Sequence, residues 1–370
     1  MNIILVSMLI AAIAFPLVLK AVKKDIEWQM IGILSAVFVA LSLIAFYSGK
    51  AGKTLDVEIW SGEVTSKTQD RVSCSHSYSC NCKSTTSCTG SGSSRSCTTS
   101  TSCDTCYEHS FDYDWVVHSN IGKLDIDRVD RQGLQTPARW SAVKIGEPFS
   151  KKNLHTNYIK GVPDSIFNHA QSLAASSNLH KLVPAYPSNV YDYYRIDRVI
   201  SVGVPVPDLP DWNRDVSNLL KQLGPQKQAN VIILFVNTND PQFEYALRSA
   251  WLGGKKNDII AMLGVTEYPK IAWARVMSWT DKEIFKIELR DSLQELEVID
   301  RPTIINMIQS YTMKDFKRKS MKDFEYLENE IDPPDWVIWT TFILMALGTV
   351  GLGIYQGRSF GGYRGRRFRR

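Results

Sequence analysis

The sequence predicts a membrane-anchored α+β protein. Uncharged apolar stretches sit only at the two ends of the 370-residue chain. All seven cysteines crowd between Cys74 and Cys106. The polar middle changes character near Pro205–Trp212, from strand-like alternation to alternating helix and strand patterns. With 44% apolar and 22% charged residues, a mainly disordered chain or a fibrous rod is excluded. A net charge of +5, from 43 basic and 38 acidic residues, is too mild to imply nucleic acid.

The apolar stretches are Ile3–Leu19, Met30–Tyr47 and Trp336–Tyr355. Each approaches the roughly 20 residues a helix needs to cross about 30 Å of hydrocarbon. They set the outer segments: a first membrane helix with a basic loop (1–28), a second helix (29–48), a third (334–355) and a basic tail (356–370). The first stretch is read as a retained helix with an external N-terminus, because Lys20, Lys23 and Lys24 follow it, whereas a signal peptide carries its positive charge in front. Those lysines and the arginine-rich tail fall on one side of a three-helix path, which marks that side as cytoplasmic. Glu328, Glu330, Asp332 and Asp335 before the third helix agree. The expectation is an integral inner- or plasma-membrane protein with residues 49–335 outside the cytoplasm. Trp28, Trp336 and Trp339 read as interfacial anchors or as packing between helices. Arg364, Arg366, Arg367, Arg369 and Arg370 suit contact with anionic lipid, with nucleic-acid binding by the tail as the alternative.

Segment 49–205 reads as a β-rich domain. Leu55–Val64, Phe111–Val117, Leu124–Val129 and Tyr194–Val204 alternate like strands, and Pro163–Ser177 reads as a helix. Its insertion, 74–106, is rich in Ser, Thr and Gly and cannot order itself by burying apolar surface. Crosslinks must do so. Six of Cys74, Cys80, Cys82, Cys88, Cys97, Cys103 and Cys106 would form disulfides in an oxidising compartment, with pairing open and one thiol left over, a hint of a covalent homo-oligomer. Alternatively Cys80, Cys82, Cys103 and Cys106 would hold a structural zinc, with His76 and His109 flanking the two arms. The external topology favours disulfides. A redox role for Cys103-Asp-Thr-Cys106 is disfavoured, because a strand-like run rather than a helix follows. His118, His155, His169 and His180 show no metal-ligand spacing.

Segment 206–333 reads as an α/β domain: a helix at Arg214–Leu223, a continuously apolar strand at Asn230–Val236, a helix at Pro241–Trp251, strands at Asp258–Val265 and Ile271–Trp279, and helices at Pro302–Tyr311 and Ser320–Glu330. The run Ile232-Ile-Leu-Phe-Val236, a short helix ending in Trp251, the Gly253-Gly-Lys-Lys-Asn-Asp258 loop and a second apolar strand lead to one membrane helix and a Ser359-Phe-Gly-Gly-Tyr tail. Over about 210–330 this order resembles the TPM domain, a family of membrane-anchored extracytoplasmic α/β modules. With its cysteine-rich front half, the assembly resembles uncharacterised membrane proteins of bacteria and large tailed phages. The resemblance implies an α/β sandwich and, as the enzymatic alternative, weak metal-dependent phosphatase activity with Ca²⁺ or Mg²⁺. Asp240 and Asp258 would then bind the cation, and Lys255 and Lys256 would meet phosphate. The competing reading is turn chemistry around Asn-Asp-Pro and Gly-Gly-Lys-Lys-Asn-Asp. Trp279-Thr-Asp-Lys282 stands where the family carries an acidic turn with glycine, which counts against catalysis. No phosphate-cradling loop, nucleophile elbow or paired-His zinc motif occurs. The leading expectation is a scaffold or interaction module that meets a protein partner at the cell envelope through its cysteine hairpin.

Overall fold

The computed structural model describes residues 2–89, 96–162 and 178–364. The helix expected at 163–177, with His169, lies outside them, as do Arg366, Arg367, Arg369 and Arg370 and the side chain of Arg364. In chain order, α1 (Ile3–Val22) and α2 (Trp28–Thr54) lead without a break into β1 (Leu55–Val72). The ribbon β2 (Ser77–Thr89) and β3 (Ser96–Tyr107) follows, then β4 (Asp112–Ser119), β5 (Gly122–Ile126) and β6 (Pro148–Thr156). The second half comprises β7 (Val199–Val202), α3 (Leu209–Lys227), β8 (Asn230–Val236), α4 (Phe243–Ala250), β9 (Asp258–Gly264), β10 (Trp273–Ser278), α5 (Ile284–Glu295), α6 (Arg301–Asp315) and α7 (Asp335–Arg364).

Among the described residues, three helices are long and apolar enough to cross a membrane: α1, α2 and the first part of α7. They touch along narrow seams, with Leu5, Met8 and Phe46 in one contact and Ala12, Phe38 and Met345 in the next. Ile10, Ile33, Ile44 and Leu347 point outward. A helix that exposes so many aliphatic side chains is suited to lipid rather than water. Where α2 ends and α7 begins the two connections meet: a Cβ on Gly49 would lie 2.7 Å from Pro333, and one on Gly161 would lie 2.8 Å from Ile331 and 3.0 Å from Thr54.

The first sheet is antiparallel, in the order β5-β4-β1-β6. β1 serves two partners in turn: Leu55–Glu63 pair with β6 and Val64–Val72 with β4. Val64, Trp115, Val117, Ile126, Phe149 and Tyr194 form its core. The β2–β3 ribbon stands apart, and its strands pair only with each other among the described residues. Disulfides Cys80–Cys106, Cys82–Cys103 and Cys88–Cys97 cross it, and Cys74 is the remaining thiol, buried.

The second sheet has the order β10-β9-β8-β7, with β7, β8 and β9 parallel and β10 antiparallel. Every residue of β8 and β9 is buried, because helices cover both faces. Val231, Ile233, Phe235, Ile259 and Leu263 pack against α3, α5 and α6, while Ile232, Leu234, Ile260 and Met262 pack towards α4 and Trp251. The structure departs from the sequence expectations at three places, the first through long-range pairing. The expected strand Tyr194–Val204 divides: Tyr194 joins the core of the first sheet, whereas Val199–Val202 pairs with β8. The α/β unit therefore begins before residue 206. Helix α5 adds to the expected elements; Phe285, Leu289 and Leu293 recur at helical spacing and are its buried face. Ser320–Glu330 is a 3₁₀ run at Met321–Glu330 rather than an α-helix.

Candidate functional site

Asp258 opens β9 and is fully buried. Its carboxylate accepts hydrogen bonds from Asn230 Nδ2 (2.9 Å), the Lys255 N–H (2.7 Å) and the Tyr186 hydroxyl (3.1 and 2.9 Å to its two oxygens). Burial pushes its pKa up to about 6 against those bonds. Burial and the neighbouring Asp258 also raise the Tyr186 phenol well above its ordinary value. These bonds tie the Gly253–Asp258 loop to the start of β8 and to Tyr186.

Asp240 lies beyond the other end of β8. Its Oδ1 accepts the Gln242 N–H at 2.9 Å and its N–H donates to Thr238 Oγ1, the turn chemistry that introduces α4. Asp258 pairs with Asn230 at the start of β8, whereas Asp240 follows Val236 at its end. Seven residues of strand separate the two ends, about 20 Å at roughly 3.3 Å per residue. The structure does not bring the two aspartates to one cation.

The lysines of the Gly253–Asp258 loop face the seam between the two sheets. Lys255 Nζ donates to Asp56 Oδ1 at 2.6 Å, and Asp56 also accepts from Asn157 Nδ2 at 3.0 Å. Lys256 is partly buried near Glu58, and burial lowers its pKa. Glu58 pairs with Arg318 and accepts from Trp60 Nε1 at 2.8 Å. His155 is beside it, with neither ring nitrogen hydrogen-bonded among the described residues, and burial depresses its pKa to about 4. Arg198, wholly buried, ties the units together through Asn230 Oδ1 (2.7 Å), Ser61 Oγ (2.7 Å) and Ser150 Oγ (2.8 Å). The close approach is enforced at Gly224 in α3, where a Cβ would lie 1.9 Å from the Ser61 carbonyl oxygen. The loop that the sequence offers to phosphate is thus a polar joint. A cleft of 820 Å³ opens elsewhere along the seam, lined in part by Glu147, Tyr194, Arg195, Asn213 and Arg214.

At the hairpin, the four sulfurs considered as a zinc quartet are instead joined in pairs, Cys80 to Cys106 and Cys82 to Cys103. Antiparallel pairing brings the two arms together: Cys80 lies opposite Asp104 and reaches diagonally to Cys106, which faces Tyr78, while Cys82 sits in the irregularity between Cys80 and Lys83 and meets Cys103. A different set converges at the ribbon's base. Ligand atoms of Cys74, His76, His109 and Asp112 all lie within 4.8 Å of one another. His109 Nδ1 is 3.2 Å from Asp112 Oδ1 and 3.8 Å from Cys74 Sγ, and His76 Nδ1 is 3.7 Å from Asp112 Oδ2. Burial opposes the charge on Asp112, yet hydrogen bonds from Arg128, the Ser75 N–H and His109 outweigh it and hold its pKa at about 2. Two residues precede β2 and two follow β3. The sequence marks His76 and His109 only as flanks of the cysteine arms and gives no sign of Asp112; the Ser77–Tyr107 pairing is what brings Cys74 and His76 to His109 and Asp112.

Compared with family models, curated proteins and solved structures, the chain finds no match.

Proposed function

We propose that the protein is an anchored scaffold or interaction module of the cell envelope. Its two folded units stand outside the cytoplasm, its basic tail lies inside, and its cysteine hairpin is the contact element. The observation that carries this reading is the ribbon itself. Ser84, Thr86, Thr99 and Thr101 are exposed on strands that hold no apolar core, and three disulfides keep them rigid. A rigid surface loses less conformational entropy on binding than a loose loop of the same composition. Disulfides also persist best in an oxidising compartment, which supports the external placement. The unbroken passage from α2 into β1, and the packing of Gly49 on Pro333, support a body held at a set angle to the bilayer. We read the α/β unit as TPM-like, on the strength of its helices on both sheet faces and its exit into one membrane helix.

Two measurements test the proposal in cells that express the full chain. An impermeant protease added from outside should cut within 49–335 and spare a tag on the tail. A photocrosslinking residue at Thr86 or Thr99 should give a discrete protein adduct, and one at Tyr245 on the exposed side of α4 should not. A protected central region, or no hairpin adduct, overturns the reading.

A further inference from the structure

We propose that Cys74, His76, His109 and Asp112 form a structural zinc site that clamps the base of the hairpin to the first sheet. Around a tetrahedral zinc, with Zn–S about 2.3 Å and Zn–N or Zn–O about 2.0 Å, neighbouring ligand atoms stand about 3.3–3.6 Å apart. His109 Nδ1 stands 3.2 Å from Asp112 Oδ1 and 3.8 Å from Cys74 Sγ, either side of that range, His76 Nδ1 stands 3.7 Å from the second oxygen of the same carboxylate, and the four ligand atoms together lie within 4.8 Å. Small side-chain adjustments would close the set. His76 Nδ1 is a buried atom with no hydrogen-bond partner among the described residues, and it faces this cluster.

The donor chemistry selects the ion. One thiolate, two imidazoles and one carboxylate suit a borderline-soft dication, whereas Ca²⁺ and Mg²⁺ take sets made of oxygens. Charge balances locally. Thiolate and carboxylate neutralise the dication, while Arg128 is offset by Asp114, which its Nη2 meets at 2.7 Å. Asp112 is already oriented: Arg128 Nη1 (2.8 Å) and the Ser75 N–H (3.3 Å) hold Oδ2, so Oδ1 is turned towards His109. Such outer contacts commonly fix a metal ligand in place. Cys74 releases its proton to solvent as the ion binds. Four protein ligands complete a tetrahedron and leave no position for water, so the role is structural.

The site also answers a mechanical need. The disulfides tie strand to strand, but none ties the ribbon to the body. Ligands drawn from both arms at its foot would do so.

The full-length protein, purified in detergent and cycled through EDTA, should take up zinc stoichiometrically, as counted by elemental mass spectrometry. Cobalt in its place should give the intense visible bands of a tetrahedral thiolate site. Cys74→Ala with His109→Ala should abolish uptake while intact mass still shows three disulfides, which separates loss of the ligands from loss of the fold. Arg128→Gln should weaken zinc about 10- to 100-fold. Substoichiometric zinc in the unaltered protein, equal uptake by the double variant, or Cys74 found in a disulfide between chains each overturns the site.

Discussion

The β2–β3 ribbon and the β8–β9 strand pair are built on opposite principles. β8 and β9 bury every residue between two helical layers, so burial of apolar area orders them, at about 25 cal/mol per Å². The ribbon exposes nearly every residue described. A lone two-stranded hairpin is marginal in water. Covalent crosslinks compensate by restricting the unfolded chain, each typically contributing about 2–4 kcal/mol. One region is held by what it hides, the other by what it bonds, and each should fail to a different insult.

The largest effect should come from the buried pair. Phe235→Ala removes a fully buried ring from the α/β core and should cost about 3–5 kcal/mol in denaturant unfolding. Tyr78→Ala, on the exposed ribbon, should stay within about 0.5 kcal/mol. Equal losses would erase the contrast.

Mild reduction gives the converse. Opening Cys80–Cys106, Cys82–Cys103 and Cys88–Cys97 should raise hydrogen exchange throughout β2 and β3. Protection of β8 and β9 should be unchanged. Loss of protection in both would show that the ribbon is part of the main cooperative unit.

The two aspartates come next. Asp258→Ala strands the buried donors of Asn230, Tyr186 and Lys255 and should cost about 1–3 kcal/mol. Asp240→Ala removes one exposed turn bond and should cost about 0.5–1 kcal/mol. A phosphatase activity abolished by both changes, with folding intact, would contradict their placement at opposite ends of β8.

The smallest effect is a change of slope with pH. The His155 pKa falls to about 4 in the folded protein from an unfolded value of 6.5. A ring that stays neutral when folded contributes stability above pH 6.5 that is lost as pH falls towards 4. Asp258 works in the other direction: raised from 3.8 to about 6, it favours the folded state at low pH, and that contribution is lost as pH rises through 6. His155→Leu should therefore shift the slope between pH 6.5 and 4 towards greater stability at low pH, because the Asp258 contribution is then no longer offset, as read from unfolding midpoints across that window. An unchanged slope would show that the seam around Glu58 and Lys256 does not govern the acid response.

The sequence by itself determined the features that depend on neighbours along the chain. Three long uncharged runs declare membrane helices because hydrocarbon length sets helix length. Asn230–Val236 and Asp258–Val265 declare buried strands through their apolar runs, and the Ser/Thr-rich cysteine segment declares its need for crosslinks. The pairings across sequence were decided by tertiary structure: which sulfur meets which, that Val199–Val202 crosses to the second sheet, that Lys255 spends its charge on Asp56, and that Asp240 and Asp258 part company. The convergence of Cys74 and His76 with His109 and Asp112 is of the same kind. Strand register sets two distant arms side by side, and neither arm carries a metal-binding spacing of its own. Composition and periodicity are local quantities, whereas register and layer contact are not.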